Sequence, residues 1–364
     1  MAEIIRSKYG RLLSDFEVGK TYEHPWDVTV DAGTVALFQA SFLDSIPTYA
    51  SATFARKYGF ADRPLHPLLC LNLALSFSVH DVSEQAIAHL AYLDVRFPEP
   101  GYCGDTVTAR STVLGVKPAS SGDKGVVHVR TALTNEHGQI LCAFERKALI
   151  RAGKLDTRPA SPWPGGPDAP ELAPLPHLPP PLRVAASPAD APPPRFARLY
   201  GEFQPGQVYL HDIGKTVGES EHMQLTALVR NSHPLHSDEL YCKDNSFAKQ
   251  RVVYGGLVFG WVATLASRDV AGNAIWDLGY DQGAHPNGVV GGDTLYAASK
   301  VLEVRDHGAF GQVAFRLVGV KNMTSASAYE QHGEALFTDE LSKKEGKIKE
   351  KVFEITRTLY VRKQ

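Results

Sequence analysis

The sequence predicts an α+β protein made of two copies of one unit, each an antiparallel sheet wrapped around a long buried helix. Three observations carry that expectation. A proline-rich stretch divides the chain near its middle, the residues on its two sides repeat one another, and each side holds one apolar, helix-length run followed by alternating strand-like segments.

Of the 24 prolines, 14 lie within 156–195, a stretch with few backbone donors and no apolar period, which reads as a semi-rigid extended linker. The expected units are residues 1–155, the linker 156–195, and residues 196–364. Laid together without a gap, residues 86–116 and 274–304 are identical at 13 of 31 positions, including Leu90/Leu278, Tyr92/Tyr280, Gly104/Gly292 and Asp105/Asp293. Chance pairing gives only a few. Residues 15–24 match 202–211 at nearly the same offset, so the whole unit is duplicated.

Each copy then runs in one order. An opening strand (21–30; 207–216) leads to an amphipathic helix (34–43; 220–229), and a polar loop with a short helix follows. The next run (65–79; 256–270) is hydrophobic nearly all round, which marks a buried helix. Four strand-like segments close each half. Alternation is visible in TVTARSTVLGV, VVHVRTALT and ILCAFERKALIRA, and later in LYAASKVLEV, GQVAFRLVGV and VFEITRTLYV. One buried helix wrapped by such a sheet is the hot-dog plan. The turns Cys103-Gly104-Asp105-Thr106 and Gly291-Gly292-Asp293-Thr294 take a structural role, glycine supplying positive φ and aspartate accepting from turn amides.

Composition excludes several functions. With 38 basic and 40 acidic residues the formal charge is -2, too balanced for a nucleic-acid partner. Cys70, Cys103, Cys142 and Cys242 lack paired spacing, which disfavours both disulfides and a zinc site. The most apolar run, 65–79, is interrupted by His66, Asn72 and two serines and is too short to span a bilayer. No signal-peptide core is present at the start, so a cytoplasmic protein is expected.

Residues 228–260, LVRNSHPLHSDELYCKDNSFAKQRVVYGGLVFG, resemble the signature of the MaoC-like enoyl-CoA hydratases: Gly-Asp-any-Asn-Pro-aliphatic-His, then His-Gly-Met. Arg230, Asn231, Ser232, His233, Pro234, Leu235 and His236 fill the first motif, and Tyr254, Gly255 and Gly256 the second. With EHMQ, HPNGVVGGDTLYA and SATFARKYGF, the chain is similar more narrowly to the mesaconyl-CoA hydratase group. The resemblance covers both halves. It implies a tandem hot-dog hydro-lyase acting on a short branched enoyl-CoA, with an acyl-CoA as partner and no metal or redox cofactor.

Hydration of an enoyl thioester needs a group to take a proton from water, a donor to Cα, and donors around the enolate oxygen. His236 suits the first two duties, since an unperturbed imidazole near pKa about 6.5 both accepts and returns a proton. Tyr254-Gly255-Gly256 opens the second buried helix with free amides, and Gly255, then Gly256, is the expected oxyanion donor. The resemblance places the superfamily's catalytic aspartate at Asn231. An amide is no base, so Asn231 either holds the attacking water or caps the preceding helix. Proton transfer would then rest on His236 alone, as a syn addition.

The first half retains Asp44 at the aspartate position and has Tyr49 at the histidine position, so no complete Asp/His pair is expected in either half, and its site should be silent. Asp44 reads as a turn or capping group with a functional alternative, His66 as a packed or capping histidine, and His233 as a support for His236. A substrate carboxylate demands a cation. Candidates are Arg230, Arg251 and His285, with Tyr254 as a further substrate contact. Two other functions compete. A hot-dog thioesterase usually carries a carboxylate in or near the buried helix, where 256–270 offers only Arg268 and Asp269 at its far end. A non-catalytic acyl-CoA sensor usually carries a DNA-binding unit as well. The two halves form an intrachain pseudo-dimer, and the sequence leaves association of two chains open.

Overall fold

The computed structural model describes residues 2–5, 8–159, 173–183, 198–343 and 345–363. In the first half, β1 (Thr21–Thr29) leads to α1 (Ala32–Phe42), the short α2 (Pro47–Ala50) and α3 (Ala52–Lys57), the buried α4 (Pro67–Phe77), and strands β2 (Ala86–Arg96), β3 (Thr106–Pro118), β4 (Lys124–Asn135) and β5 (Ile140–Arg151). A single turn, α5 (Pro180–Arg183), lies between the halves. The second half repeats the order with β6 (Val208–Thr216), α6 (Glu219–Leu228), α7 (Glu239–Asn245), α8 (Gly255–Val270), β7 (Ala274–Ala284), β8 (Thr294–His307) and β9 (Phe310–Lys321); α9 (Ser325–His332) precedes β10 (Lys351–Arg362).

The ten strands form one antiparallel sheet in the order β1-β3-β4-β5-β2-β7-β10-β9-β8-β6. The seam between halves is the β2/β7 pair, with Val95 opposite Tyr280 and Tyr92 opposite Gly283. This is the expected tandem hot-dog, closed into a pseudo-dimer through a shared sheet. Every residue of α4 is buried, and α8 buries most of its length, because both are apolar on all faces and sit inside the curled sheet. The helices touch where Asn72 Nδ2 donates to the Gly256 carbonyl at 3.3 Å. Phe42 of α1 stacks on Trp261 of α8, so one apolar core runs through both halves.

The turn expectation holds in detail. Gly104 and Gly292 take φ of +104° and +90°, and the carboxylates of Asp105 and Asp293 accept from the amides of Tyr102 and Val290 at 3.0 Å each. All four cysteines are free. Among the described residues, no helix is long and apolar enough to cross a membrane.

Two features depart from the sequence reading. The helix expected over 65–79 starts only at Pro67, where His66 caps it, and ends at Phe77; a π turn, Val79–Ser83, continues the chain. The segment between β9 and β10 holds α9, whose Ala328 joins Leu336, Phe337 and Ile348 in a small core against β8 and β9. The corresponding β4–β5 turn is short. Of the linker 156–195, residues 160–172 and 184–195 lie outside the described residues. The described part holds to the body of the protein: Arg158 donates to the Leu13 and Phe16 carbonyls at 2.7 and 3.0 Å, and Leu182 is 2% exposed within the main core.

Candidate active site

The loop after α6 is built by local hydrogen bonding. Arg230 adopts a left-handed conformation (φ 63°), and the amides of Arg230 and Asn231 return to the carbonyls of Ala227 and Thr226 at 3.0 and 3.1 Å, closing the helix. The cap is therefore a backbone motif with Arg230 at its left-handed position, and the Asn231 side chain turns to the next residues. Its Oδ1 accepts from the His233 amide at 3.0 Å. His233 Nδ1 accepts in turn from the Leu235 amide at 3.1 Å, capping the tight turn Pro234–His236. His236 Nδ1 bonds the Val252 carbonyl at 2.8 Å, and the Val252 amide returns to Leu235. A carbonyl only accepts, so Nδ1 carries the hydrogen and the neutral ring presents its lone pair at Nε2.

Asn231, His233, His236, Tyr254, Gly255 and His285 line one cavity of about 140 Å³, on the scale of a short acyl group. The first half supplies the rest of its polar wall: His89 and Tyr92 from β2 and Arg146 from β5. Exposed Ile87 lies at its edge. In α8 the first backbone bonds run from Leu257 and Val258 to the Tyr254 carbonyl, so the Gly255 and Gly256 amides precede the helical ladder. Gly255 lines the cavity, with His285 so close that a Cβ there would stand 2.8 Å from its Nε2. The Tyr254 hydroxyl accepts from Ser76 Oγ at 3.3 Å, and burial raises its pKa, keeping the phenol protonated.

Among the described residues the lining contains no aspartate or glutamate. Burial lowers the pKa of His236 to about 3, with His233 adding to the effect, and burial alone accounts for most of the fall of His285 to about 4. The rings are neutral, contrary to the unperturbed value assumed from sequence. Arg146 is 2% exposed, its pKa is lowered to about 10 by burial, and it remains a cation. His285 donates to the Val352 backbone and its Nε2 stands 3.2 Å from the Tyr92 hydroxyl.

The structure thus brings together His236, Asn231, Tyr254, Gly255 and His285, and leaves four expected residues elsewhere, among them Arg230, which is exposed at the end of α6. Gly256 is buried in the α4–α8 crossing, where a Cβ would meet Asn72 Oδ1 at 2.1 Å. Arg251 is spent on Glu219 and Glu239 at 2.7 and 3.1 Å. Asp44 lies on a separate cavity with Tyr49 and pairs with His66, whose Nδ1 caps α4 by accepting from Leu68. An Asp/His pair does exist in the first half, therefore, formed with a histidine 22 residues onward rather than at the motif position. Packed between Phe38 and Tyr49, that pair lines its own cavity, apart from the one that holds His236.

Sequence reasoning missed Arg146, His89 and Tyr92. The signal was available in the repeat: Arg146 and Arg151 are spaced like Arg357 and Arg362, and Tyr92 aligns with Tyr280.

This fold and cavity define a double hot-dog protein. It superposes on a MaoC domain protein dehydratase from Chloroflexus aurantiacus with a TM-score of 0.81 and 24% identity, covering 99% of this chain and 100% of that one. A Mycobacterium tuberculosis protein described as having a double hotdog fold matches with a TM-score of 0.71 and 21% identity, over 96% and 98% of the two chains. A family model described as mesaconyl-CoA hydratase matches residues 4–168. The mesaconyl-CoA hydratase of Cereibacter sphaeroides is 33% identical over 88% of this chain and 92% of its own, and the beta-methylmalyl-CoA dehydratase of Chloroflexus aurantiacus is 30% identical over 80% and 82%. The chain belongs to the mesaconyl-CoA hydratase family.

Proposed function

We infer that the protein is a hydro-lyase that adds water reversibly across the double bond of mesaconyl-CoA, giving β-methylmalyl-CoA. One observation carries the site chemistry: a neutral imidazole with its lone pair at Nε2, His236, and a helix-opening amide, Gly255, line one acyl-sized cavity. The substrate assignment rests on family membership.

In this mechanism Asn231 holds the attacking water through the second Oδ1 lone pair and the amino hydrogens that its bond to His233 leaves over. His236 Nε2 takes a proton as the water oxygen bonds to Cβ. The π electrons move to the thioester carbonyl, where the Gly255 amide and the positive end of α8 meet the developing enolate charge. The imidazolium then returns its proton to Cα, so one base serves both steps on one face. Burial holds the free ring neutral. The enolate raises its proton affinity at the moment protonation is needed, and the Val252 carbonyl stabilises the imidazolium. Water and thioester are the only reactants this scheme requires.

Loss of absorbance at the conjugated double bond of mesaconyl-CoA, with no release of free CoA, is the expected result with the purified protein. Stoichiometric CoA release would establish a thioesterase, and tight thioester binding without either change would establish a sensor.

A further inference from the structure

The duplicated halves contain an internal control for one buried charge. Arg146 on β5 stands opposite Tyr92 on β2, and Arg357 on β10 stands opposite Tyr280 on β7, at equivalent places in the repeat. His89 faces Ala148, and Asp277 occupies the position that aligns with His89. In the second half the arginine is neutralised within the protein: Arg357 Nε donates to Asp277 Oδ1 at 2.8 Å and its terminal nitrogen to Oδ2 at 3.3 Å. In the first half the same Nε of Arg146 is buried without a partner, and so are both ring nitrogens of His89. The remaining bonds of Arg146 go only to Ser78 and Ser83.

An uncompensated buried guanidinium is costly unless an anion joins it. Here it lines the cavity that holds His236 and Gly255, and among the described residues no acidic side chain shares that cavity. We propose that Arg146, with His89 beside it, receives the free carboxylate of the substrate, the ligand supplying at this position the group that Asp277 supplies in the other half. The pairing makes Arg146 the residue that selects carboxylated over uncharged enoyl thioesters. In mesaconyl-CoA the carboxylate is attached to Cβ, so the same contact sets that carbon's place relative to His236. The inference rests on the hydratase reading for its substrate, and its chemistry requires only a short acyl-CoA ending in a carboxylate.

The test separates the two. Hydration of mesaconyl-CoA by the unaltered protein reads the activity. Calorimetric binding of two saturated thioesters, 2-methylsuccinyl-CoA and 2-methylbutanoyl-CoA, reads the carboxylate site without turnover. The unaltered protein should favour the carboxylated thioester, and Arg146→Gln should reduce that preference by about 100-fold, with Arg146→Lys between. Should Arg146→Gln fail to fold, His89→Asp carries the same question: it reproduces the Asp277 pairing, so the melting temperature should rise while the preference for 2-methylsuccinyl-CoA collapses. A preference unchanged in either variant overturns the proposal, as does an equal loss of affinity for both thioesters in Arg146→Gln. An Arg146-dependent preference without any hydration would retain the carboxylate site and dismiss the hydratase reading.

Discussion

The Nδ1–H of His236 donates to the Val252 carbonyl at 2.8 Å, and this one bond fixes which nitrogen of the ring can act as a base. It follows that His236→Ala should lower kcat for mesaconyl-CoA hydration by roughly 10²- to 10⁴-fold, the usual worth of a positioned acid–base group. Binding of a saturated thioester should stay within a few-fold of the unaltered protein. Full turnover in that variant, read at the conjugated double bond, would remove the ring from the chemistry. Because burial holds the free ring's pKa to about 3, kcat/KM should also stay level as pH falls from 8 to about 5. An acid limb near pH 6.5 would show an imidazole titrating as though in water.

Stability should have the acid dependence that activity lacks. His233 and His285 have pKa values lowered to about 4 and His236 to about 3, all by burial, whereas the unfolded chain titrates near about 6.5. Folded rings therefore bind fewer protons than unfolded ones between these limits. Their stabilising contribution is complete above about pH 6.5 and is lost as pH falls toward 4, at about 1.4 kcal/mol per pH unit for each ring. Melting temperatures measured from pH 7 to 4.5 should fall, and less steeply for His285→Phe, which installs the residue that Phe97 provides in the first half. Equal slopes for the two proteins would show that His285 is not held neutral.

Glycines 255 and 256 adjoin in sequence and should fail in different ways when replaced by alanine. A Cβ at 255 meets the His285 ring, a side chain on the cavity wall, so Gly255→Ala should depress kcat by on the order of 10²-fold through the displaced amide, with a small effect on melting. A Cβ at 256 meets Asn72 and the Tyr254 ring inside the helix crossing, where space is closed on all sides. Gly256→Ala should cost about 1–3 kcal/mol of stability in chemical denaturation. The opposite pattern would exchange their roles.

Local signals made most of the scaffold legible. The helices α4 and α8 show as apolar runs because they are buried on every face, and the Gly-Asp turns show because positive φ and turn amides demand those residues. The second-half wall of the site was readable for the same reason: Asn231, His236 and Tyr254-Gly255 lie within one short segment of chain. The opposite wall was not. Arg146 sits in a Glu-Arg-Lys triplet that reads as a solvated strand face, and its burial depends on where β5 lies against β2 and the π turn. Arg251 misled for the converse reason: its nearness in sequence to the Tyr-Gly-Gly turn says nothing of Glu219, 32 residues earlier, which holds it outside the cavity. The Asp44–His66 pair was hidden likewise, since a partner was sought at motif spacing and the fold provides one from the cap of α4.

The neutralised half makes a last prediction. Asp277 and Arg357 are both almost fully inaccessible; burial pushes the pKa of Arg357 down, but Asp277, Tyr280 and Asp44 together more than offset it, so it is raised where that of Arg146 is lowered. Removing the carboxylate strands a cation beside Tyr280 and the α8 backbone, with the charge of Asp44 left nearby. Asp277→Ala should therefore destabilise the protein by about 3–5 kcal/mol, the cost of breaking a buried pair from one side. The loss should be far larger than that of Arg146→Gln, which removes a charge with no ionic partner, and urea unfolding of the two variants side by side makes the comparison. If Asp277→Ala proves as mild as Arg146→Gln, the two arginines are equally compensated in the free protein, and the electrostatic asymmetry between the halves is not real.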